Sequence, residues 1–226
     1  EYGSGNGGIA GRNEGTVINS TNTGAVSGGA LNGGIVGYDD SGTISNCANN
    51  GTIGGGSYNG GIAGLHSSGT ISNCANTGAA SGGTYNGGIA GYADDSFGTA
   101  TQKNCYWLSS SAANAVGVTS GTVTFENRVS FDSTGTLSSP VGGTTDLLAA
   151  LNNWVIANQT DTTGFSGWVE GETYPALSGI EAFGGAGRTA NGVVSGTTYT
   201  IGTETELKCF AALANAFPHT TYAGVT

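Results

Sequence analysis

Two pairs of adjacent aspartates, Asp39–Asp40 and Asp94–Asp95, are the residues whose types and spacing most directly suggest chemistry. Clustered carboxylates beside backbone oxygens are the ligands that Ca²⁺ prefers, so these four side chains are candidate calcium ligands. The Gly- and Asp-rich nonapeptide of calcium-binding β-helices is missing, which leaves solvated turn residues as the competing interpretation. No cofactor other than calcium is expected.

Catalysis by these carboxylates is not expected. Glycosidases use two carboxyl groups, and polysaccharide lyases normally add a basic residue, but the repetitive part of the chain contains just Arg12 and Lys103. No arrangement of a nucleophile beside a base is visible. The sequence therefore predicts a protein that is not an enzyme and has no catalytic residue.

Three cysteines occupy related positions: Cys47 and Cys74 are 27 residues apart, and Cys105 follows after a short insertion. Stacked thiols inside a repetitive fold are usually small buried hydrophobic groups, although neighbouring repeats come close enough for a disulfide. No CxxC pair occurs, which argues against zinc. A reactive thiol needs a nearby base, and His66 is the one histidine in the repeats.

Four tyrosines flank the repeated phrase NGGIAG. Tyr58 and Tyr85 precede it in successive repeats, whereas Tyr38 and Tyr92 follow it. Rings spaced by one repeat on a flat face can stack on sugar rings, so a carbohydrate-binding module is the alternative function. The competing interpretation is that these rings shield the backbone of a corner and one another.

A fixed period must position these side chains. Asn6, Asn32, Asn59 and Asn86 open the repeated phrase, with spacings of 26, 27 and 27 residues. Such a period indicates a solenoid or a related array, and each unit contains three short segments separated by turn residues. The sequence predicts an all-β fold, a β-solenoid of about four coils of 26–27 residues with three strands in each.

Stacked coils place equivalent residues over one another. Asn side chains can bond to their like neighbours in a ladder, and Gly permits close approach of the backbone at the corners. Three inward columns are expected, formed by Ile9, Ile35, Ile62 and Ile89, by Val17, Ile44 and Ile71, and by Val26, Ile53 and Ala80.

The pattern GGIAG…GTISNCANTGAASGG resembles the GLUG-type repeat, named for its Gly-Leu/Ile-x-Gly core, over about residues 5–107. These repeats occur in large extracellular proteins of bacteria and archaea, including some IgA-specific peptidases and adhesin-like surface proteins. The segments DLLAALNNWV and FSGWVEGETYPAL are similar to the element that often closes such arrays. The resemblance implies a secreted or cell-surface scaffold and brings no catalytic motif.

Three regions are predicted. Residues 1–108 hold the solenoid repeats, and residues 109–178 form a capping region of short strands with one helix at about 145–158, which covers the open end or the flank of the solenoid. Residues 179–226 combine a linker, a strand and a helix, and resemble the start of a further module or an assembly tail. Because Glu1 falls inside a repeat, the natural N-terminus is expected to lie further upstream.

Composition narrows the partners. The net charge is -10 with five Lys and Arg residues, which argues against nucleic acid and against attraction to anionic lipid. No apolar run is long enough to insert in a membrane. We expect a rigid stalk, an adhesive module or a filament subunit of a secreted or surface protein, which pairs end to end with itself or with further repeats, or which meets a glycan or host surface.

Overall fold

The computed structural model describes residues 5–158 and 164–181, and residues 5–131 wind into a β-solenoid of about five turns. Short strands make up the first two coils. They are β1 (Asn6–Gly7), β2 (Ala10–Asn13), β3 (Thr16–Ile18), β4 (Thr21–Asn22), β5 (Val26–Gly28), β6 (Leu31–Gly33), β7 (Val36–Asp39), β8 (Thr43–Ser45), β9 (Ala48–Asn49) and β10 (Ile53–Gly55).

The next three coils carry fewer strands, and the fourth and fifth coils each contain one strand of nine residues. They are β11 (Tyr58–Gly60), β12 (Ala63–His66), β13 (Gly69–Ser72), β14 (Ala75–Asn76), β15 (Tyr85–Gly87), β16 (Ala90–Ala93), β17 (Ala100–Leu108), β18 (Val116–Thr119) and β19 (Val123–Phe131). Each pairs in parallel with its counterpart one coil away, so that Asn59 lies between Asn32 and Asn86. The predicted β-solenoid is confirmed.

Inward-facing aliphatic side chains form the core. Ile35, Ile62 and Ile89 are fully buried in one cluster with Ala115 of the fifth coil. Ile9, which was predicted to belong to this column, is 46% exposed because it lies in the first coil, where no other described coil covers its outer side. The other two predicted columns also form inside the solenoid.

Close backbone contacts explain the glycines of the repeated phrase. A Cβ built on Gly60 lies 1.8 Å from the carbonyl oxygen of Ala63, and the equivalent distance at Gly33 is also 1.8 Å. No side chain fits at such a distance, so the tight turn between the two strands of this corner requires glycine.

Asparagines form ladders along the corners. Asn32 donates to the side-chain oxygen of Asn59 at 2.9 Å, and Asn59 donates to that of Asn86 at 2.9 Å. A second column adopts the left-handed conformation in every coil, with φ between 49° and 54°, and Asn is one of the few residues that tolerates it; its members are Asn19, Asn46, Asn73, Asn104 and Asn127.

The stacking continues past residue 108, the predicted end of the repeats. Strand β18 pairs in parallel with β16, and β19 pairs in parallel with β17 along eight residues. The repeat pattern did not predict this fifth coil, because Ala115 occupies the position that isoleucine holds in the earlier coils. The pattern already weakens in the fourth coil, where Gln102 occupies the position that Ile71 holds in the third.

The rest of the described chain forms a cap on one flank of the solenoid. It comprises β20 (Thr136–Val141), β21 (Thr144–Asp146), α1 (Leu147–Asn158), β22 (Ser166–Val169) and β23 (Ala176–Glu181). The predicted helix is present, and it begins after Asp146, whose carboxylate accepts the Ala149 amide at 2.7 Å. Its buried face packs on outward-facing solenoid residues such as Ala48, Ala75 and Tyr106, so the helix covers the flank, while β20 pairs antiparallel with β19 at the edge of the last coil.

Corner asparagines bind the cap to three successive coils. Their side-chain amides donate to cap carbonyl oxygens: Asn19 to Gly164 at 2.7 Å, Asn46 to Ser166 at 2.8 Å and Asn73 to Leu151 at 3.2 Å. The buried Trp168 indole donates to Asn46 at 2.6 Å. The strand and helix predicted beyond residue 181, and the assembly tail they would form, lie outside the described residues.

Candidate functional site

The rings of three of the four predicted tyrosines stack at one corner of the solenoid. The Tyr58 ring stacks on that of Tyr85, with centroids 5.3 Å apart and planes within 10°, and on that of Tyr92 at 5.3 Å and 25°. Tyr38 lies in the same hydrophobic cluster as Tyr58 and Tyr92, but it is buried at 4% exposure, with the Arg12 guanidinium 5.4 Å from its ring centroid. Tyr38 therefore presents no ring face to a ligand.

This corner is cut short in the fifth coil. Between the third coil's Ala79 and the second coil's Ile53, the Ala79 carbonyl accepts the Ile53 amide. The Ser111 carbonyl accepts the Ala80 amide in the equivalent bond one coil further on, so Ser111 lies over Ala79. In the same way, the Gly87 carbonyl accepts the Gly61 amide, and the Asn114 carbonyl accepts the Gly88 amide one coil further on. Asn114 therefore lies over Gly87. Residues 80–86 connect the two positions in one coil, and residues 112–113 connect them in the next.

Tyr85 and Asn86 consequently form the last level of their columns. Strand β15, which contains them, is the terminal strand of its sheet. Asn59 donates to both Gly56 and Asn86 and is fully buried. Asn86 is half-buried and donates to Gly82 at 3.0 Å, and among the described residues its second N–H has no acceptor.

The predicted carboxylates do not converge. Asp39 is buried and accepts from Asn13 at 2.7 Å, whereas Asp40 pairs with Arg12. Asp94 accepts from the Ser96 hydroxyl at 3.1 Å, and Asp95 from the backbone amide of Thr122 at 2.8 Å.

The two pairs of aspartates are also offset by one residue between coils, because Asp39 aligns with His66 and Ala93. Within residues 5–158 and 164–181, no group of three or more His, Cys, Asp or Glu side chains is placed to hold a metal ion. The four predicted aspartates therefore do not form a ligand set for calcium among the described residues.

A buried polar chain crosses the interior where solvated turn residues were expected. Asn13 bonds to Asp39, whose Oδ2 lies 3.7 Å from the His66 Nε2, and the His66 Nδ1 lies 3.4 Å from the Gln102 amide nitrogen. Arg128 donates to the oxygen of Gln102 at 3.1 Å. The alternation of Asn, Asp and His at one repeat position was the available signal for this chain.

Burial governs the ionisation of this pair. Loss of water raises the pKa of Asp39 from 3.8 to about 7 and lowers the pKa of His66 from 6.5 to about 4. Between those values both groups are neutral in the folded protein, which suits a solenoid interior and leaves neither group accessible to a substrate.

The three described cysteines are free thiols. Cys47, Cys74 and Cys105 are fully buried, and each lies within 3.3 Å of the carbonyl oxygen two residues before it. Burial raises the pKa of Cys105 to about 12, so the thiol stays protonated and unreactive at neutral pH. The fourth cysteine, Cys209, lies outside the described residues.

The fold defines this chain as a repeat protein of the β-solenoid class. It matches no known protein family, no curated protein and no solved structure. The resemblance to GLUG-type repeats therefore stays a prediction. Of the helices in the described residues, none has the length and apolar character needed to cross a bilayer.

Proposed function

We propose that this chain is a non-catalytic structural segment of a secreted or cell-surface protein, in which it acts as a rigid stalk or as a subunit of a filament. The observation that carries the proposal is the in-register stacking of equivalent side chains, coil upon coil, around a buried interior. Buried Ile columns and Asn ladders fix each coil against the next, which supports a load-bearing or spacing role.

The first coil supports end-to-end association. Ile9 is 46% exposed, and Asn6 donates to Asn32 while its own side-chain oxygen has no donor among the described residues. A coil of the same register, from a second copy or from the same polypeptide, would bury Ile9 and extend the ladder. Exposed strand edges of this kind are templates for further pairing.

Concentration-dependent light scattering and negative-stain microscopy test the assembly. We expect oligomers or short filaments that grow with concentration and that the Ile9→Asp variant abolishes. Phe97→Asp is the matched control, because Phe97 is 67% exposed in a loop away from this face. Single particles at every concentration, or equal loss with both variants, would count against self-association.

The cellular location has its own test. Antibody labelling of intact cells of the source organism, compared with permeabilised cells, reports surface exposure directly. We expect labelling of intact cells. Labelling that appears after permeabilisation alone would contradict the secreted or surface location.

A further inference from the structure

The shortened corner of the fifth coil leaves a ledge on the fourth, formed by Thr84, Tyr85 and Asn86. One face of the Tyr85 ring lies on Tyr58, and in the described residues no other ring or hydrophobic cluster contacts Tyr85. Its opposite face is directed toward the fifth coil, at the corner that the short connection of residues 112–113 leaves uncovered.

Two polar groups on the ledge, one on the backbone and one on a side chain, also lack partners in the part of the chain that the structure describes. The carbonyls of Ala30 and Ser57 accept the amides of Tyr58 and Tyr85 at 2.7 Å. Thr84 is next in this series, and among the described residues no amide reaches its carbonyl. Together with the second N–H of Asn86, the ledge offers one acceptor and one donor beside an aromatic face.

We propose that this ledge binds a neutral saccharide, with one sugar ring stacked on Tyr85 and its hydroxyls bonded to Asn86 and to the Thr84 carbonyl. This site goes beyond the structural role proposed above and does not depend on it.

The chemistry of the ledge favours a neutral sugar over other ligands. Residues 81–86 and 112–117 contain no charged side chain, so the ledge provides no counter-charge for a phosphate, a carboxylate or a cation. The C–H face of a pyranose ring packs on an aromatic face, and a hydroxyl both donates and accepts, which matches the mixed donor and acceptor set. A small number of polar groups around an apolar surface is the usual pattern of a binding site.

The shape of the ledge disfavours a second protein coil. Gly117 of the fifth coil lies against the backbone of the ledge, since a Cβ built on it would be 2.7 Å from both the Tyr85 carbonyl carbon and the Asn86 nitrogen. The fifth coil therefore bounds the ledge on one side. What the fifth coil leaves uncovered is one corner of the section, which is smaller than the face that a complete coil would need.

The ring is held in place before a ligand arrives. Tyr58 and Tyr85 are paired in register on adjacent strands, and Tyr58 is fixed in turn by its stack on Tyr92. Little side-chain freedom is lost on binding, so the contact is more favourable than it would be for a mobile aromatic residue.

Affinity electrophoresis of the full 226-residue chain tests the site, with hydroxyethylcellulose, xylan, galactomannan and a soluble β-1,3-glucan as probes. We expect retardation by at least one polysaccharide. Tyr85→Ala should weaken binding by about tenfold, the effect of losing one stacked ring, and Asn86→Ala should also weaken it. Tyr85→Phe keeps the ring face and should retain binding.

Phe97→Ala is the matched control, because it removes an exposed ring elsewhere and should leave retardation unchanged. Circular dichroism melts of each variant establish that the solenoid is intact. No retardation in any of the four gels overturns the proposal, as does retardation that Tyr85→Ala leaves unchanged or that Phe97→Ala removes equally. A dimer in light scattering that Tyr85→Ala dissociates would assign the ledge to a second copy and would also overturn it.

Discussion

Asp39 and His66 face each other inside the solenoid, with the carboxylate Oδ2 3.7 Å from the imidazole Nε2, and neither atom has a hydrogen-bond partner in the described structure. Their pKa values shift in opposite directions, to about 7 and about 4. The pair therefore links the stability of the solenoid to pH in a way that single substitutions can separate.

The His66→Gln variant isolates Asp39. An acid whose pKa rises from 3.8 to about 7 on folding contributes most below pH 3.8, and this contribution is lost as pH rises through 7. We expect the free energy of unfolding of this variant, from urea titrations, to fall steadily between about pH 4 and pH 7. A pH-independent value over that range would contradict the burial of an ionisable Asp39.

The Asp39→Asn variant isolates His66. A base whose pKa falls from 6.5 to about 4 contributes its stability above pH 6.5 and loses it as pH falls through 4. The same titrations should show an unfolding free energy that rises between about pH 4 and pH 6.5. In the unsubstituted protein the two slopes oppose each other, so a plateau between about pH 4 and pH 6.5 is expected; a steep slope there would argue against both assignments.

Asn59 should be among the most sensitive polar residues. Its side chain is fully buried, accepts from Asn32 and donates to Gly56 and Asn86. Asn59→Ala leaves these buried groups without partners and should lower the free energy of unfolding by about 2–4 kcal/mol.

The control for this substitution is Asn50→Ala. Asn50 is exposed and accepts one bond, from the Thr77 hydroxyl at 3.0 Å, so its loss should cost less than about 0.5 kcal/mol. Equal urea midpoints for the two variants would show that the ladder adds no stability.

Gly60 should tolerate no side chain. A Cβ there lies 1.8 Å from the Ala63 carbonyl oxygen, so Gly60→Ala should destabilise the protein by about 3 kcal/mol or more. Gly15→Ala is the comparison, because nothing lies within 4 Å of a Cβ at Gly15. Thermal melts of both variants measure the difference, and a stable Gly60→Ala protein would contradict the tight corner.

The buried thiols should react only after unfolding. In a Cys209→Ser background, Ellman's reagent reports on Cys47, Cys74 and Cys105, which are fully buried and free. We expect no reaction in native buffer and three equivalents in urea. Rapid native labelling, or a disulfide detected by mass spectrometry, would disagree with this interior.

The solenoid could be predicted from sequence because the side chains that pack in its interior recur at a constant spacing. Ile35, Ile62 and Ile89 each fill one side of a coil, and small residues fill the remainder. The fifth coil lacked that signal, since Ala115 occupies the isoleucine position and the chain is shortened between Ser111 and Asn114.

The surroundings of the predicted site residues could not be predicted in the same way, because residue type does not fix exposure. Asp39 follows a Tyr at a turn, a context typical of solvated carboxylates, yet its strand directs it inward to Asn13. Tyr38 and Tyr92 look equivalent in the sequence, but Arg12 covers the first. The ledge at Tyr85 depends on residues missing from the coil above, which no motif in the sequence marks.

The attachment of the cap to Asn19, Asn46 and Asn73 has a mechanical consequence. When a solenoid is pulled along its axis, the hydrogen bonds between neighbouring coils break sequentially, one coil at a time. Here α1 and the segment of β22, which are joined by two hydrogen bonds between the Asn152 side chain and the Trp168 backbone, together bind three coils on one flank, so their hydrogen bonds to the corner asparagines share the tension. The bracing should raise the force required to separate these coils above the force required for the coils it does not reach.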